Sequence, residues 1–162
     1  GPPRAPHGSM TGKHIACAGI ARAHQIGRSV DISPALQTLL EKNAFGHVVT
    51  MNADGTPQLT LVWMDFRDGK PTFNTNTTRR KGRNLARDQR VWVSVQDPDN
   101  PTEYALIEGT AQVTEDGDLS HVNRMSQKFT GAAEYQNLQP GEIRVIVDID
   151  VARVSGRGPW VA

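Results

Sequence analysis

Hydrophobic and polar positions alternate in short runs along this chain, a pattern that predicts strands more than long helices. In the clearest run, residues 143–152, branched apolar side chains occupy every second position. A period of two puts those side chains on one face of a strand, so we expect a long strand with one buried face. Weaker versions of the pattern predict five earlier strands, over residues 47–52, 58–66, 72–75, 90–96 and 104–114.

Turn residues separate the first three predicted strands. Asp54-Gly55 follows the first and Asp68-Gly69 follows the second. Asp-Gly favours tight hairpins because both residues tolerate positive φ. We therefore expect strands one to three to form an antiparallel meander. Gly109 lies inside the fifth predicted strand and indicates a bulge there.

Helical spacing appears in two further segments. Ser33 is a suitable N-cap and Pro34 a suitable first residue for a short amphipathic helix that ends before Gly46. Residues 118–130 show the same helical spacing, and Gly131 is expected to end this second helix. Six strands with two or three helices predict a mainly β fold (β + α), an antiparallel closed or split β-barrel with peripheral helices.

Length and composition favour a single compact domain over residues 33–162. The chain has 162 residues, of which 37% are hydrophobic, enough to bury a core. Residues 1–10 have the Gly-Pro and Gly-Ser-Met composition of a cloning scar, and residues 11–32 have no clear period, which indicates an N-terminal arm. No apolar run is long enough for a membrane span, so we expect a cytoplasmic protein without a membrane partner. A single cysteine and the absence of zinc-ligand spacing argue against a metal site.

The most unusual stretch is NTNTTRRKGRNLARDQRV, residues 74–91, which concentrates cations in a chain of net charge +1. We expect a helix here, capped by Thr77 or Thr78. A helix N-terminus carries partial positive charge and attracts anions, whereas cations in its first turn are repelled. A bound anion would remove this conflict, so we interpret Arg79 and Lys81 as a phosphate clamp.

Helical geometry assigns the other residues of this basic helix to different surroundings. Leu85 shares a stripe with Lys81 and should face the core. Arg80, Arg83 and Arg87 fall on another face, which we expect to be solvated. Sequence-independent nucleic-acid binding is disfavoured, because no stacking aromatic residues are interleaved with the cations and the rest of the chain is not basic.

Three motifs in order carry a family resemblance: GHVVTMNADGTPQLTLVWMDF, TFNTNTTRRKGRNLARDQRVWVSV and EYALIEGTAQV. Together they resemble the pyridoxamine 5′-phosphate oxidase-like split β-barrel superfamily, and are most similar to its branch B, the actinobacterial reductases that use the deazaflavin coenzyme F420. The resemblance implies a homodimer of split barrels with two cofactor sites at the dimer interface and a small-molecule substrate.

The resemblance also implies a set of cofactor-binding residues. Arg79 and Lys81 match the phosphate-binding motif, and Thr75 and Asn76 lie at the preceding strand end, beside the phosphate. Tyr104 matches a position that reaches the cofactor from the other subunit. The remaining implied contacts are two helpers of the clamp and four residues along the strand that flanks the ring: Arg80, Asn84, Gln58, Thr60, Val62 and Trp63.

A bound flavin or deazaflavin carries the hydride, so such a site needs no nucleophile or metal, and we assign no catalytic residue. The function expected from the resemblance is an F420-dependent oxidoreductase acting on an electron-poor acceptor such as a quinone, an enone or a tetrapyrrole. Two alternatives remain: an FMN-dependent oxidoreductase, and a non-catalytic split barrel that binds a cofactor, haem or lipid. We expect His121 to be structural or exposed. Trp160, in a Gly- and Pro-rich tail, either caps a pocket or covers a partner.

Overall fold

The computed structural model describes residues 29–162, and these form one curved antiparallel sheet of seven strands with three helices. The expected cloning scar, and the expected arm up to residue 28, lie outside the described residues. The strands are β1 (Phe45–Met51), β2 (Pro57–Trp63), β3 (Asp65–Arg67), β4 (Lys70–Asn76), β5 (Arg90–Gln96), β6 (Tyr104–Glu115) and β7 (Arg144–Arg157). The helices are α1 (Pro34–Glu41), α2 (Arg80–Arg87) and α3 (Ser120–Thr130).

The sheet curls into a half-barrel that stays open along one seam. Its strand order is β2-β1-β5-β6-β7-β4-β3, with every neighbouring pair antiparallel. Strands β2 and β4 come into contact across the seam without forming a ladder, and α2 contacts both of them. The mainly β split barrel with peripheral helices is therefore confirmed, although it has seven strands instead of six.

The extra strand arises because residues 58–66 do not form one strand. The Met64 backbone N–H donates to the Ala44 carbonyl at 3.0 Å, and the run breaks there. Its first part, β2, pairs with β1, whereas its second part, β3, pairs with β4. The predicted three-strand meander is therefore wrong: the two halves of the run lie at opposite edges of the sheet.

The last strand is longer and more buried than its pattern predicts. Residues 144–149 are all buried, so this part of β7 has no solvent-exposed face. The alternation of apolar and polar residues is present, but α3 covers the outer side, where His121 reaches Asn74 on the neighbouring strand β4. The predicted bulge at Gly109 is confirmed by a register shift between Glu108 and Gly109. A Cβ at Gly109 would lie 2.3 Å from the Asp150 carbonyl oxygen.

The predicted helix ends are close to those observed. Ser33 caps α1 by accepting a hydrogen bond from the Leu36 backbone N–H at 3.2 Å, and Gly131 ends α3 in the left-handed conformation. Trp160 is buried in the barrel core, and its indole N–H donates to the Tyr104 carbonyl at 3.0 Å. Within residues 29–162, no helix has the length and apolarity needed to cross a membrane. Nor do His, Cys and carboxylate side chains in that range gather into a metal-binding cluster.

Candidate functional site

A groove of about 160 Å³ lies at the seam of the half-barrel. Its wall combines cationic and polar side chains with aromatic and aliphatic ones. Strands β1, β2 and β4, the starts of α2 and β7, helix α3 and the segment after α3 all contribute. The lining residues are Phe45, Leu61, Val62, Trp63, Asn74, Arg79, Lys81, Val122, Met125, Tyr135, Asn137 and Arg144.

Lys81 is the most unusual side chain of the groove, because it is a cation that is only 5% exposed. Helix α2 places it on the same stripe as Leu85, which is buried as predicted. Among residues 29–162 its ammonium group has neither a carboxylate partner nor a hydrogen-bond acceptor. Burial, with the nearby charges of Arg79 and Arg144, lowers the pKa of Lys81 to about 8. A buried cation without a partner is costly, so this position favours a bound anion.

The start of α2 is held by Asn76, and not by Thr77 or Thr78 as the sequence predicts. The N-cap residue, Arg79, makes no side-chain cap. Instead the Asn76 side-chain oxygen accepts from the Arg79 backbone N–H at 2.7 Å and from the Thr78 hydroxyl at 3.1 Å. Asn76 can hold the helix start because it stands three residues before Arg79, a spacing at which a side-chain oxygen reaches a backbone N–H where a helix begins.

Gly82 brings the first turn of α2 directly against the end of β4. A Cβ at this position would lie 2.1 Å from the Asn76 carbonyl oxygen, a distance that real side chains do not tolerate. Glycine thus permits a backbone approach that any other residue would push apart. This contact sets the position of Arg79 and Lys81 at the groove, and the sequence pattern did not identify it.

Arg144 is a third cation of the groove, missed because its place in β7 suggested an exposed face. Its Nε donates to the Asn74 side-chain oxygen at 2.8 Å, and its Nη1 donates to Glu142 at 2.8 Å. Glu142 also accepts from the Asn76 side-chain amide and from the Gln139 backbone N–H. Burial opposes ionisation of Glu142, but these hydrogen bonds lower its pKa to about 2.

A second buried polar group lies behind the groove, around His121. Its Nε2 is 3.0 Å from an Asp65 carboxylate oxygen, and its Nδ1 is 2.9 Å from the Asn74 amide nitrogen. Asp65 also pairs with Arg124 at 2.6 Å. Burial opposes ionisation of Asp65, yet the hydrogen bonds from His121 and Arg124 lower its pKa to about 2. Since both ring nitrogens of His121 are engaged, its geometry is that of a structural residue.

Aromatic rings form the apolar part of the groove. Trp63 stacks on Phe129 with ring centroids 5.3 Å apart and planes 7° from parallel, and it meets the edge of Tyr135 at 6.3 Å. Phe45 packs against the same Phe129 at 5.5 Å. The Arg144 guanidinium lies 4.8 Å from the Tyr135 ring centroid. Trp63 is therefore held between neighbours and offers a rigid apolar surface to a planar ligand.

The structure brings four of the predicted site residues into the groove: Arg79, Lys81, Val62 and Trp63. Asn76 lies behind the clamp through its contact with the Arg79 backbone. Thr60 and Thr75 have buried hydroxyl oxygens with no hydrogen-bond partner in the described part of the chain. Their lack of a partner distinguishes them from ordinary buried threonines, and their assignment to the cofactor stays a prediction.

The other four predicted residues do not line the groove of this chain. Arg80 and Asn84 line a separate surface hollow beside α2. The Asn84 side-chain amide donates to the Thr50 hydroxyl and to the Asn52 side-chain oxygen, each at 3.0 Å, which ties α2 to β1. Gln58 of β2 lies near Thr50 of the neighbouring strand β1. Tyr104, at the start of β6, is 38% exposed.

A half-barrel whose seam combines cations with a rigid aromatic wall defines a class of protein, the split barrels with a binding groove at the seam. A sequence profile of the family described as Pyridoxamine 5′-phosphate oxidase matches residues 32–158, most of the chain. The protein belongs to this family.

Solved structures add three comparisons. The chain is similar to an F420 reductase with 28% identity and a TM-score of 0.64, covering 74% of this chain and 94% of that one. It is similar to a conserved hypothetical protein from Mycobacterium tuberculosis, at 24% identity, a TM-score of 0.59 and coverage of 78% and 86%. A haem-binding protein from Mycobacterium smegmatis is 23% identical with a TM-score of 0.57, over 75% of this chain and 52% of that one. The last two establish the fold alone.

Proposed function

We propose that the protein is a homodimeric, cytoplasmic, F420-dependent oxidoreductase that transfers hydride between the deazaflavin and an electron-poor acceptor of the quinone, enone or tetrapyrrole type. The observation that carries this proposal is the buried Lys81 ammonium beside Arg79, which has no anionic partner among the described residues. The phosphate of a flavin-type cofactor would provide the missing charge. The 28% identity to an F420 reductase favours the deazaflavin as that cofactor.

The protein's own groups bind and orient in this proposal, and the cofactor supplies the hydride carrier. Arg79 and Lys81 hold the phosphate. Trp63, fixed between Phe129 and Tyr135, supplies an apolar surface for the ring and excludes water from it. The proposal assigns no proton transfer to any residue of the groove.

Two features of the groove and its surroundings support the homodimer. A volume of about 160 Å³ is small beside the roughly 300–1,000 Å³ typical of ligand sites, and in this proposal a second chain supplies the rest of the wall. The outer face of β2, β1, β5 and β6 carries exposed apolar side chains, among them Leu59 (65% exposed), Leu61 (54%) and Leu106 (37%).

Leu61 and Phe45 join this apolar face to the groove, since both line the groove and are themselves exposed. A second copy seated on the face would therefore also close the groove. Tyr104 stands at the start of β6, two residues before Leu106, and in this proposal it reaches the site of the other subunit. The two unpartnered hydroxyls of Thr60 and Thr75 remain candidates for polar contacts with the cofactor.

An FMN-dependent oxidoreductase is the second candidate, and the family described as Pyridoxamine 5′-phosphate oxidase is the observation that favours it. Arg79 and Lys81 would bind the phosphate of either cofactor. Direct titration separates the candidates: oxidised F420 and FMN are added to the purified protein while tryptophan fluorescence is recorded. We expect tighter binding of F420, with quenching that falls strongly in a Trp63→Phe variant. Preference for FMN would overturn the first choice.

Activity is tested with reduced F420 and a simple quinone such as menadione, following reoxidation of the deazaflavin by absorbance. Faster oxidation with enzyme than without it is the expected result. A protein that binds F420 tightly but transfers hydride to none of a quinone, an enone and a tetrapyrrole would instead be a non-catalytic carrier.

The dimer is tested by sedimentation velocity. Leu59→Glu combined with Leu106→Glu places two charges on the apolar face and should yield monomers that bind F420 weakly. Val113→Glu is the control, because Val113 is also exposed, at 42%, but is not part of the shallow hollow that Leu59 and Leu106 help to line on the apolar face. A wild-type protein that sediments as a monomer at micromolar concentration would contradict this part of the proposal.

A further inference from the structure

We infer that Arg144 binds the same anionic group as Arg79 and Lys81, so that a residue of β7 completes the anion site of the groove. This inference rests on the proposed function in taking the anion to be the phosphate-bearing part of the cofactor. It adds a residue of β7 that lies far along the chain from the basic helix.

Arg144 has the geometry of a binding residue. It lines the groove, and its side chain is 4% exposed. Two of its three nitrogens are engaged, Nε by Asn74 and Nη1 by Glu142. Its Nη2 has no acceptor among residues 29–162. A guanidinium held at two points has little freedom left to lose on binding, and its free N–H groups are oriented before the ligand arrives.

The side chains that hold Arg144 are themselves anchored. Asn74 donates to His121 Nδ1 and, at 3.2 Å, to an Asp116 carboxylate oxygen. With its amide nitrogen engaged by those two acceptors, the Asn74 side-chain oxygen is directed to Arg144. On the other side, Glu142 connects Arg144 to Asn76, the residue that holds the Arg79 backbone N–H. Arg144 and the Arg79 backbone are thus parts of one hydrogen-bonded structure.

The local charges give the expected charge of the ligand. Arg79, Lys81 and Arg144 contribute three positive charges, and Glu142 removes one through its contact with Arg144. Of the other nearby carboxylates, Asp65 pairs with Arg124, whereas Asp116 accepts N–H groups at the start of α3 and has no cationic partner among residues 29–162. One positive charge remains when Asp116 is also counted, so the groove favours an anionic ligand group.

The decisive comparison uses ligands with and without the phosphate. In calorimetric titrations, Arg144→Gln should weaken F420 binding about tenfold to a hundredfold, the usual loss for one charge-assisted contact. Binding of the deazaflavin that lacks the phosphate-bearing tail should not change. Arg144→Lys, which keeps the charge, should recover part of the loss. Arg87→Gln is the control, since its side chain is exposed on α2 and lies outside the groove.

Inorganic phosphate provides a test that needs neither the cofactor nor a folded variant. In wild-type protein labelled with ¹⁵N, phosphate at pH 7 should shift the Arg144 Nε resonance and the Arg79 amide with the same midpoint.

Three outcomes would contradict the inference, the proposed function or both. Unchanged F420 affinity in Arg144→Gln, or an unshifted Arg144 resonance, would overturn the inference and leave the proposed function standing. A protein that binds phosphate through Arg144 but binds neither F420 nor FMN would overturn the proposed function alone. A wild-type protein that binds neither phosphate nor cofactor would overturn both.

Discussion

Lys81→Met should stabilise the ligand-free protein while weakening its binding of the cofactor. The substitution keeps an unbranched stem in the buried site and removes the charge. Lysine titrates near 10.4 in an unfolded chain, but the folded state lowers the pKa of Lys81 to about 8. The folded state therefore disfavours the charged form, and at neutral pH the protein carries that cost until an anion binds.

The pKa difference sets the size of the effect. About 2.5 pKa units correspond to roughly 3 kcal/mol, an upper value because water reaches part of the groove. Between pH 8 and 10.5 the unfolded chain still holds a proton that the folded protein has released, so the unfolding free energy of the wild type should rise with pH in that window. Below pH 8 both states are protonated and this contribution is constant. Lys81→Met should lack the rise, and at pH 7.5 it should be about 1–3 kcal/mol more stable than the wild type.

Urea unfolding at pH 7.5 and pH 9.5, followed by tryptophan fluorescence, measures the stability part. Calorimetric titration with F420 measures the cofactor affinity, which we expect to fall about tenfold to hundredfold in Lys81→Met. Arg87→Met is the matched control, because it removes a cation from an exposed position of the same helix, outside the groove. A Lys81→Met protein that is less stable at pH 7.5, or that loses no more affinity than Arg87→Met, would refute the reasoning.

Two further predictions concern the supports of the groove. Gly82→Ala should cost about 1–3 kcal/mol of stability in thermal unfolding and displace the phosphate clamp, because the new Cβ would meet the Asn76 carbonyl. Gly117→Ala is the control in the same assay and should be tolerated, because open space surrounds Gly117. Equal effects of the two would show that the close approach does not matter. Asp65 has a pKa of about 2 in the folded protein, so its contribution of about 2 kcal/mol is present above pH 4 and disappears as pH falls from 4 to 2. In Asp65→Asn the unfolding free energy should therefore fall less steeply between pH 4 and pH 2 than in the wild type. Part of the fall should persist, because Glu142 also has a pKa of about 2. An unchanged slope of unfolding free energy against pH would argue against the pairing of Asp65 with His121 and Arg124.

Local signals in the sequence were sufficient for much of the fold. Ser33 and Pro34 mark the start of α1, Gly131 marks the end of α3, and the strands after Arg90 follow their alternation. These features depend on neighbouring residues only, through capping, backbone freedom and side-chain period. The groove residues Arg79 and Lys81 were found in the same way, because crowded cations at a helix start conflict locally with the helix dipole.

Local signals could not predict which strands pair at the two edges of the sheet. Residues 58–66 have the pattern of one strand, and only the curl of the whole sheet divides them between β1 and β4. The burial of both faces of residues 144–149 likewise depends on α3, which comes from another part of the chain. Polar residues at alternate positions look solvent-facing unless a distant element covers them.

The sequence by itself therefore determined which residues are cationic, where α1 begins and α3 ends, and that the basic start of α2 conflicts with the helix dipole. Tertiary structure alone decided that Lys81 is buried without a partner among the described residues, that Gly82 brings α2 against the end of β4, and that Arg144, which pairs with Glu142, lies near Lys81. The physical reason is that desolvation and ion pairing depend on contacts in space between segments distant in the chain, and a local pattern carries no information about those contacts.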